Sequence, residues 1–263
     1  MNRKTAPAHA DLGVHGEVPA AMAVAGPPAL VLSSFDLTPL GYTTDEFFVS
    51  GTASSYTLSG APTADGRWNV VPAETAPYAT RIVVVRPTDP QKFNGTVVVE
   101  WLNVSAGADG APDWNAAHRE IIRNGYAYVG VSAQRVGVEG GHSLVAMGTP
   151  LKKADPVRYG SLSHPGDSFA YDIFSQVGSL LRAPHANKVL GPLMPTCVIA
   201  VGESQSASFL TTYVNAVDPL AKLYDGFLIH SRFGTNEQLA VGNLADAYRW
   251  SGQRDKAMTK LSL

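Results

Sequence analysis

Cysteine is nearly absent from this 263-residue chain: the one residue, Cys197, excludes a disulfide framework and a cysteine-rich zinc site. Charge is scarce as well. Asp, Glu, Lys and Arg make up 16% of the residues, against about 25% in an average globular protein. The 20 basic and 22 acidic residues leave a net charge of −2, so no basic field gathers phosphates and no nucleic-acid partner is expected. Long hydrophobic runs are missing too. The most apolar stretch, Val18 to Leu32, is broken by Gly26, Pro27 and Pro28, and no membrane span of roughly 20 residues fits there. It also makes a poor secretory leader, because His9, Asp11, His15 and Glu17 separate it from Asn2-Arg3-Lys4. A cytoplasmic location is expected, with secretion as the other reading. No metal and no cofactor is expected. The glycines at 137, 140 and 141 could suggest a phosphate loop, but no helix start follows them at a fixed spacing, and a flexible loop is the better reading.

What remains is a chain 45% hydrophobic with 25 Gly and 18 Pro, enough to bury a sizeable core between many loops. Residues 1–30 are Ala, Pro and Gly with scattered charges and no period, which suggests a flexible N-terminal arm. Glu46 to Leu58 and Tyr78 to Arg86 are rich in β-branched and aromatic residues and read as strands. Thr96 to Leu102 is almost continuously apolar, the mark of a strand covered on both faces and hence of a parallel sheet. A helix follows, with Trp114, Ala117, Ile121 and Ile122 on one face, Asp113 as its N-cap and Asn124-Gly125 as its stop. The strand Tyr126 to Ser132 completes a crossover unit. Residues 133–167 show no period and read as a long functional loop or small cap. Beyond them come a helix to Arg182, the strand Thr196 to Val201, a further helix, and a strand from Tyr224 to His230. Alternation of this kind predicts an α/β, mostly parallel doubly wound sheet.

Chemistry is concentrated at Gly202-Glu203-Ser204-Gln205-Ser206, where the Thr196 to Val201 strand gives way to helix. A nucleophile elbow holds its Ser on a strained turn of this kind, and needs small residues two before and two after. Gly202 qualifies, and Ser206 replaces the usual Gly by one hydroxymethyl group. Ser204 is the candidate nucleophile; N-capping of the following helix is the competing role. As nucleophile, Ser204 would have the Gln205 N–H as one oxyanion donor, with a second backbone donor from the loop after Leu102, where Asn103 stands between Leu102 and Val104.

Five strings, Val99 to Val104, Tyr128 to Gln134, His164 to Ser168, Gly202 to Ser206 and Tyr224 to Ser231, together resemble a family of bacterial α/β-hydrolase-domain proteins that are serine esterases. The resemblance runs from about residue 33 to 232. It implies an α/β-hydrolase-like fold with Ser204 as nucleophile, a small-molecule ester as substrate, and relatives that continue well past residue 263. On that footing the chain is C-terminally truncated and its sheet incomplete at the C-terminal edge. The core is then residues 31–232, with residues 233–263 a helical tail. Ester hydrolysis should be weak or absent, because the later strands supply the catalytic acid and His. The alternative is a catalytically silent α/β domain that binds a ligand or partner. The strand to His230 would be an exposed sheet edge prone to self-association.

Downstream of Ser204 the only histidine is His230, which comes ahead of the position that the order Ser, acid, His gives it. It is retained as a candidate base but reads better as a strand-end residue without an orienting carboxylate. Asp225 should lie at the far end of the same strand. His142 and His164 fall in the long loop, and His164 before Pro165-Gly166 reads as turn.

Overall fold

The computed structural model describes residues 18–30, 32, 36–145, 147–183 and 188–232. The tail assigned to residues 233–263 lies outside them. Among the described residues, four strands come first and helices alternate with strands after them: β1 (Ala20–Val24), β2 (Tyr42–Leu58), β3 (Val70–Pro87), β4 (Thr96–Trp101), α1 (Pro112–Arg123), β5 (Ala127–Val131), α2 (Arg135–Glu139), α3 (Leu151–Ala154), α4 (Pro156–Tyr159), α5 (Ala170–Arg182), β6 (Cys197–Glu203), α6 (Gln205–Thr212), α7 (Asp218–Ala221) and β7 (Gly226–His230). These strands form one sheet in the order β1-β2-β3-β5-β4-β6-β7. Neighbours from β1 to β5 pair antiparallel, and β5, β4, β6 and β7 run parallel.

Of the expected arm over residues 1–30, residues 1–17 lie outside the described residues, and the rest needs correction. Ala20–Val24 pairs with β2 from Ala20 opposite Ser50 to Val24 opposite Glu46. Its alanines carry little strand propensity, and the ladder along β2 supplies the order that composition could not announce. The flexible loop expected at glycines 137–141 is corrected by α2, which runs to Glu139, and residues 133–167, read as a long loop or small cap, are not one loop. They hold three short helices, and Val138, Leu151, Tyr159 and Leu162 pack there against Phe48. Helices of four or five residues are too short to show a period.

Apolar runs build the centre. Every residue of β5 is buried, and along β3 Ile82 and Val84 face one side while Val83 and Val85 face the other. One face receives Trp114 and Ile121 of α1, against Tyr128 and Leu102. The other receives α5 and α6 around Trp101, whose ring lies 4.8 Å from Phe174 and 5.5 Å from Phe209. Helices therefore cover both faces.

The β2–β3 hairpin has strands of 17 and 18 residues, yet β5 pairs only with Ile82 to Val85 of it. Its overhanging end is held by α5. Asp172 accepts from Ser54 N (2.7 Å) and Tyr56 OH (3.2 Å), and Gln176 donates to Thr52 O (2.7 Å). Nearer the sheet, buried Arg81 of β3 reaches Glu46 of β2 (3.3 Å), Asp109 (2.5 Å) and Ser132 Oγ (2.9 Å). Glu46 is shared with Arg158 and with Tyr159 OH of α4.

Candidate active site

Strand β4 lies between β5 and β6, so the chain leaves β4 toward one neighbour and later returns to the other side. In open α/β sheets such a switch point opens a crevice at the carboxyl ends of the strands. Here those ends carry the loop after Trp101 and the turn from β6 to α6.

At that turn Ser204 has φ 57° and ψ −111°, a positive φ that non-glycine residues adopt at a cost. The flanking residues explain how the turn closes. A Cβ on Gly202 would stand 3.1 Å from the Ser206 carbonyl oxygen. Ser206 is fully buried and its hydroxyl donates to Glu203 O (2.8 Å) and accepts from Glu203 N (3.3 Å). The departure from Gly thus ties the turn instead of crowding it. Ser204 N donates to His230 O (3.2 Å), joining the turn to the end of β7. Ser204 occupies the N-cap position of α6, but its side chain makes no capping bond, so the competing role is not the one it performs.

Gln205 is the first residue of α6, and its N–H has no acceptor within the helix. The second donor expected from the β4 loop is corrected. Leu102 N donates to Val131 O (3.1 Å), Asn103 N to Gly110 O (2.9 Å) and Val104 N to Gln205 Oε1 (3.3 Å). The Asn103 amide is spent on a bridge that closes the loop between 103 and 110. Its side chain pins the same loop to the turn, with Nδ2 donating to Glu203 O (3.0 Å) and Oδ1 accepting from Ser105 N (2.8 Å).

His230 does have an orienting carboxylate, contrary to expectation: its Nε2 lies 2.6 Å from Asp113 Oδ1. Asp113 is not the cap of α1. Ala111 holds that position and Pro112 is the first helical residue, so Asp113 projects from the first turn. Glu100 caps in its place, Oε1 accepting from Asp113 N (3.0 Å) and Oε2 from Trp114 N (2.9 Å) and Tyr128 OH (2.7 Å). Burial, and then the Asp113 charge, push the Glu100 carboxyl up to about 8. Burial raises Asp113 itself, with the His230 hydrogen bond and charge pulling the other way. Glu203, opposite His230 in the β6–β7 register, is raised by burial and by Asp113 while His230 lowers it. The second ring nitrogen of His230, Nδ1, lies 3.2 Å from Ser231 Oγ. Among the described residues no hydrogen bond joins the ring to the Ser204 hydroxyl.

The other candidates stand elsewhere. His164 is buried, with Nε2 against Ala133 O (2.8 Å) and Nδ1 accepting from Gly166 N (3.2 Å), and burial drives it down to about 4. His142 is exposed. Asp225 lies at the opposite end of β7, accepting from Val198 N and paired with Arg182. Among the described residues no group of His, Cys, Asp and Glu could hold a metal ion, and no helix is long and apolar enough to cross a membrane.

This combination of a mixed seven-stranded sheet and a strained Ser between β6 and α6 is that of an α/β hydrolase. A family model described as alpha/beta hydrolase domain matches residues 13–260, and the chain belongs to that family. No curated protein matches it. Among solved structures it is similar to an acetyl xylan esterase from Thermoanaerobacterium sp. (12% identity, TM-score 0.45, 93% of this chain and 66% of that one). It is also similar to a glucuronoyl esterase from Teredinibacter turnerae (13%, 0.42, 84% and 47%) and to the rice cell wall degrading esterase LipA from Xanthomonas oryzae (14%, 0.40, 94% and 60%). The chain spans between 47% and 66% of the length of these three proteins.

Proposed function

We propose that the protein is a serine-dependent hydrolase of carboxylic esters with Ser204 as its nucleophile. The observation that carries this reading is the positive-φ backbone of Ser204 at a strand-to-helix junction, with a side chain that does not cap the helix. Such strain persists where surrounding structure over-determines it, and it marks functional turns. In the reaction Ser204 Oγ attacks the acyl carbon, and the carbonyl oxygen takes up the displaced electron pair. The Gln205 N–H and the positive end of α6 face that developing charge. His230 receives the hydroxyl proton and returns it to the departing alcohol, leaving Ser204 acylated; water then reverses the sequence and releases the acid. Asp113 keeps the proton of His230 on Nε2, so that Nδ1 is the basic nitrogen. For the transfer Nδ1 exchanges its Ser231 contact for the Ser204 hydroxyl.

A fluorophosphonate probe tests the nucleophile. Wild-type protein should be labelled and Ser204→Ala should not; equal labelling of both would remove Ser204 from the role.

A further inference from the structure

Four of the sequence strings meet in a buried hydrogen-bonded chain that the reaction above does not use. Asp167, Gln134 and Gln205 are each 0–1% exposed. Asp167 accepts from Arg135 N (2.7 Å) and from Gln134 Nε2 (3.3 Å). Gln134 Oε1 accepts from Trp101 Nε1 (3.1 Å) and from Gln205 Nε2 (2.7 Å). Gln205 Oε1 then accepts from Val104 N (3.3 Å). Both ends and the middle of this chain are donors that cannot reverse: two backbone N–H groups and an indole N–H. They leave each side-chain amide one possible sense, and the sense is consistent throughout only because Asp167 is an acceptor. The last member, Gln205, directly follows Ser204 and carries the N–H facing the oxyanion.

We infer that Asp167 and Gln134 are positioning residues, which through Gln205 hold the turn after Ser204 against the loop after β4. This rests on the reading of Ser204 as nucleophile. In Asp167→Asn the new amide must give its oxygen to Arg135 N and so turns an N–H at the Gln134 amide. Gln134 then reverses toward Trp101, Gln205 reverses in turn, and Val104 N loses its acceptor. Gln134→Glu sets two carboxyl groups face to face. Combined, the two changes mend the chain. The amide oxygen at position 167 accepts from Arg135 N and its nitrogen donates to the carboxylate at position 134, which also accepts from Trp101 and Gln205.

The test uses the full chain as wild type, Asp167→Asn, Gln134→Glu and the double variant, with Ser204→Ala as control. Two quantities are read: the rate of fluorophosphonate labelling and the hydrogen exchange of the Val104 amide, which reports on the network whatever Ser204 does. Each single variant should slow labelling by about tenfold or more, as displaced catalytic groups do, and speed Val104 exchange; the double variant should restore both. Unchanged Val104 exchange in the single variants would overturn the inference. So would faster exchange with unchanged labelling, since the network would then support the fold alone. Labelling of Ser204→Ala at the wild-type rate would remove the nucleophile and the positioning role with it. Unaltered labelling of Asp167→Asn beside an unlabelled Ser204→Ala would remove only the positioning role.

Discussion

Asp113 and His230 touch across 117 positions of sequence, and their contact changes what a histidine at that strand end can do. An imidazole whose Nε2–H is fixed on a carboxylate has a defined tautomer and a basic Nδ1. If the pair acts as a unit, Asp113→Asn and His230→Ala should each lower kcat/KM for a p-nitrophenyl ester by about 10²–10⁴. Combining them should cost little beyond the larger single effect, because members of one catalytic unit are non-additive. Additive losses in a double-mutant cycle would show that the two residues act separately. Ser204 and Gln205 can be picked out in the sequence because the turn that holds them is local: small residues, a strand before and a helix after. Asp113 can be seen there only as a helix-cap candidate. Nothing near it in the chain announces that the end of β7 reaches the first turn of α1.

The junction of β4 and α1 shows how one element's end sets another's chemistry. Glu100 takes the first N–H groups of α1, which satisfies the helix end and leaves Asp113 to face His230. This has a consequence for stability. A carboxyl raised by folding from its ordinary 4.5 to about 8 is held protonated in the native state and is ionised in the unfolded one across that interval. Its contribution is therefore complete below 4.5 and is lost as the pH rises through about 8. Thermal melting of the wild type should fall between pH 4.5 and about 8 and level off above it, and Glu100→Gln should flatten that slope. A wild-type melting temperature that holds steady over this range would refute the assignment. Elements such as β4, β5 and β6 are legible in the sequence because burial on both faces writes an apolar run. β1 and the helices between residues 135 and 159 are not, since their order comes from neighbours rather than from their own pattern.

Across the whole molecule, Arg81 joins β2, β3, the loop that carries Asp109 and, through Glu46, α4. Arg81→Met would leave Asp109 buried without its cation, and removing one partner of a buried pair costs about 3–5 kcal/mol. Adding Asp109→Asn should return part of that loss in urea unfolding; no return would place the effect in packing instead. The fold class is readable because strand and helix alternate from β4 to β7, over more than half of the described chain. The polar contacts tying its layers together are not, because each joins residues distant in sequence. The overhanging β2–β3 hairpin shows what such distance means in time. Its α5 partners, Asp172 and Gln176, lie between 116 and 124 positions later in the chain. At synthesis rates of about 5–20 residues per second, on the order of ten seconds separate the hairpin from the helix that covers it. For that interval Tyr56 and Tyr78 are without the Asp172 and Gln176 side chains that their hydroxyls bond in the folded protein.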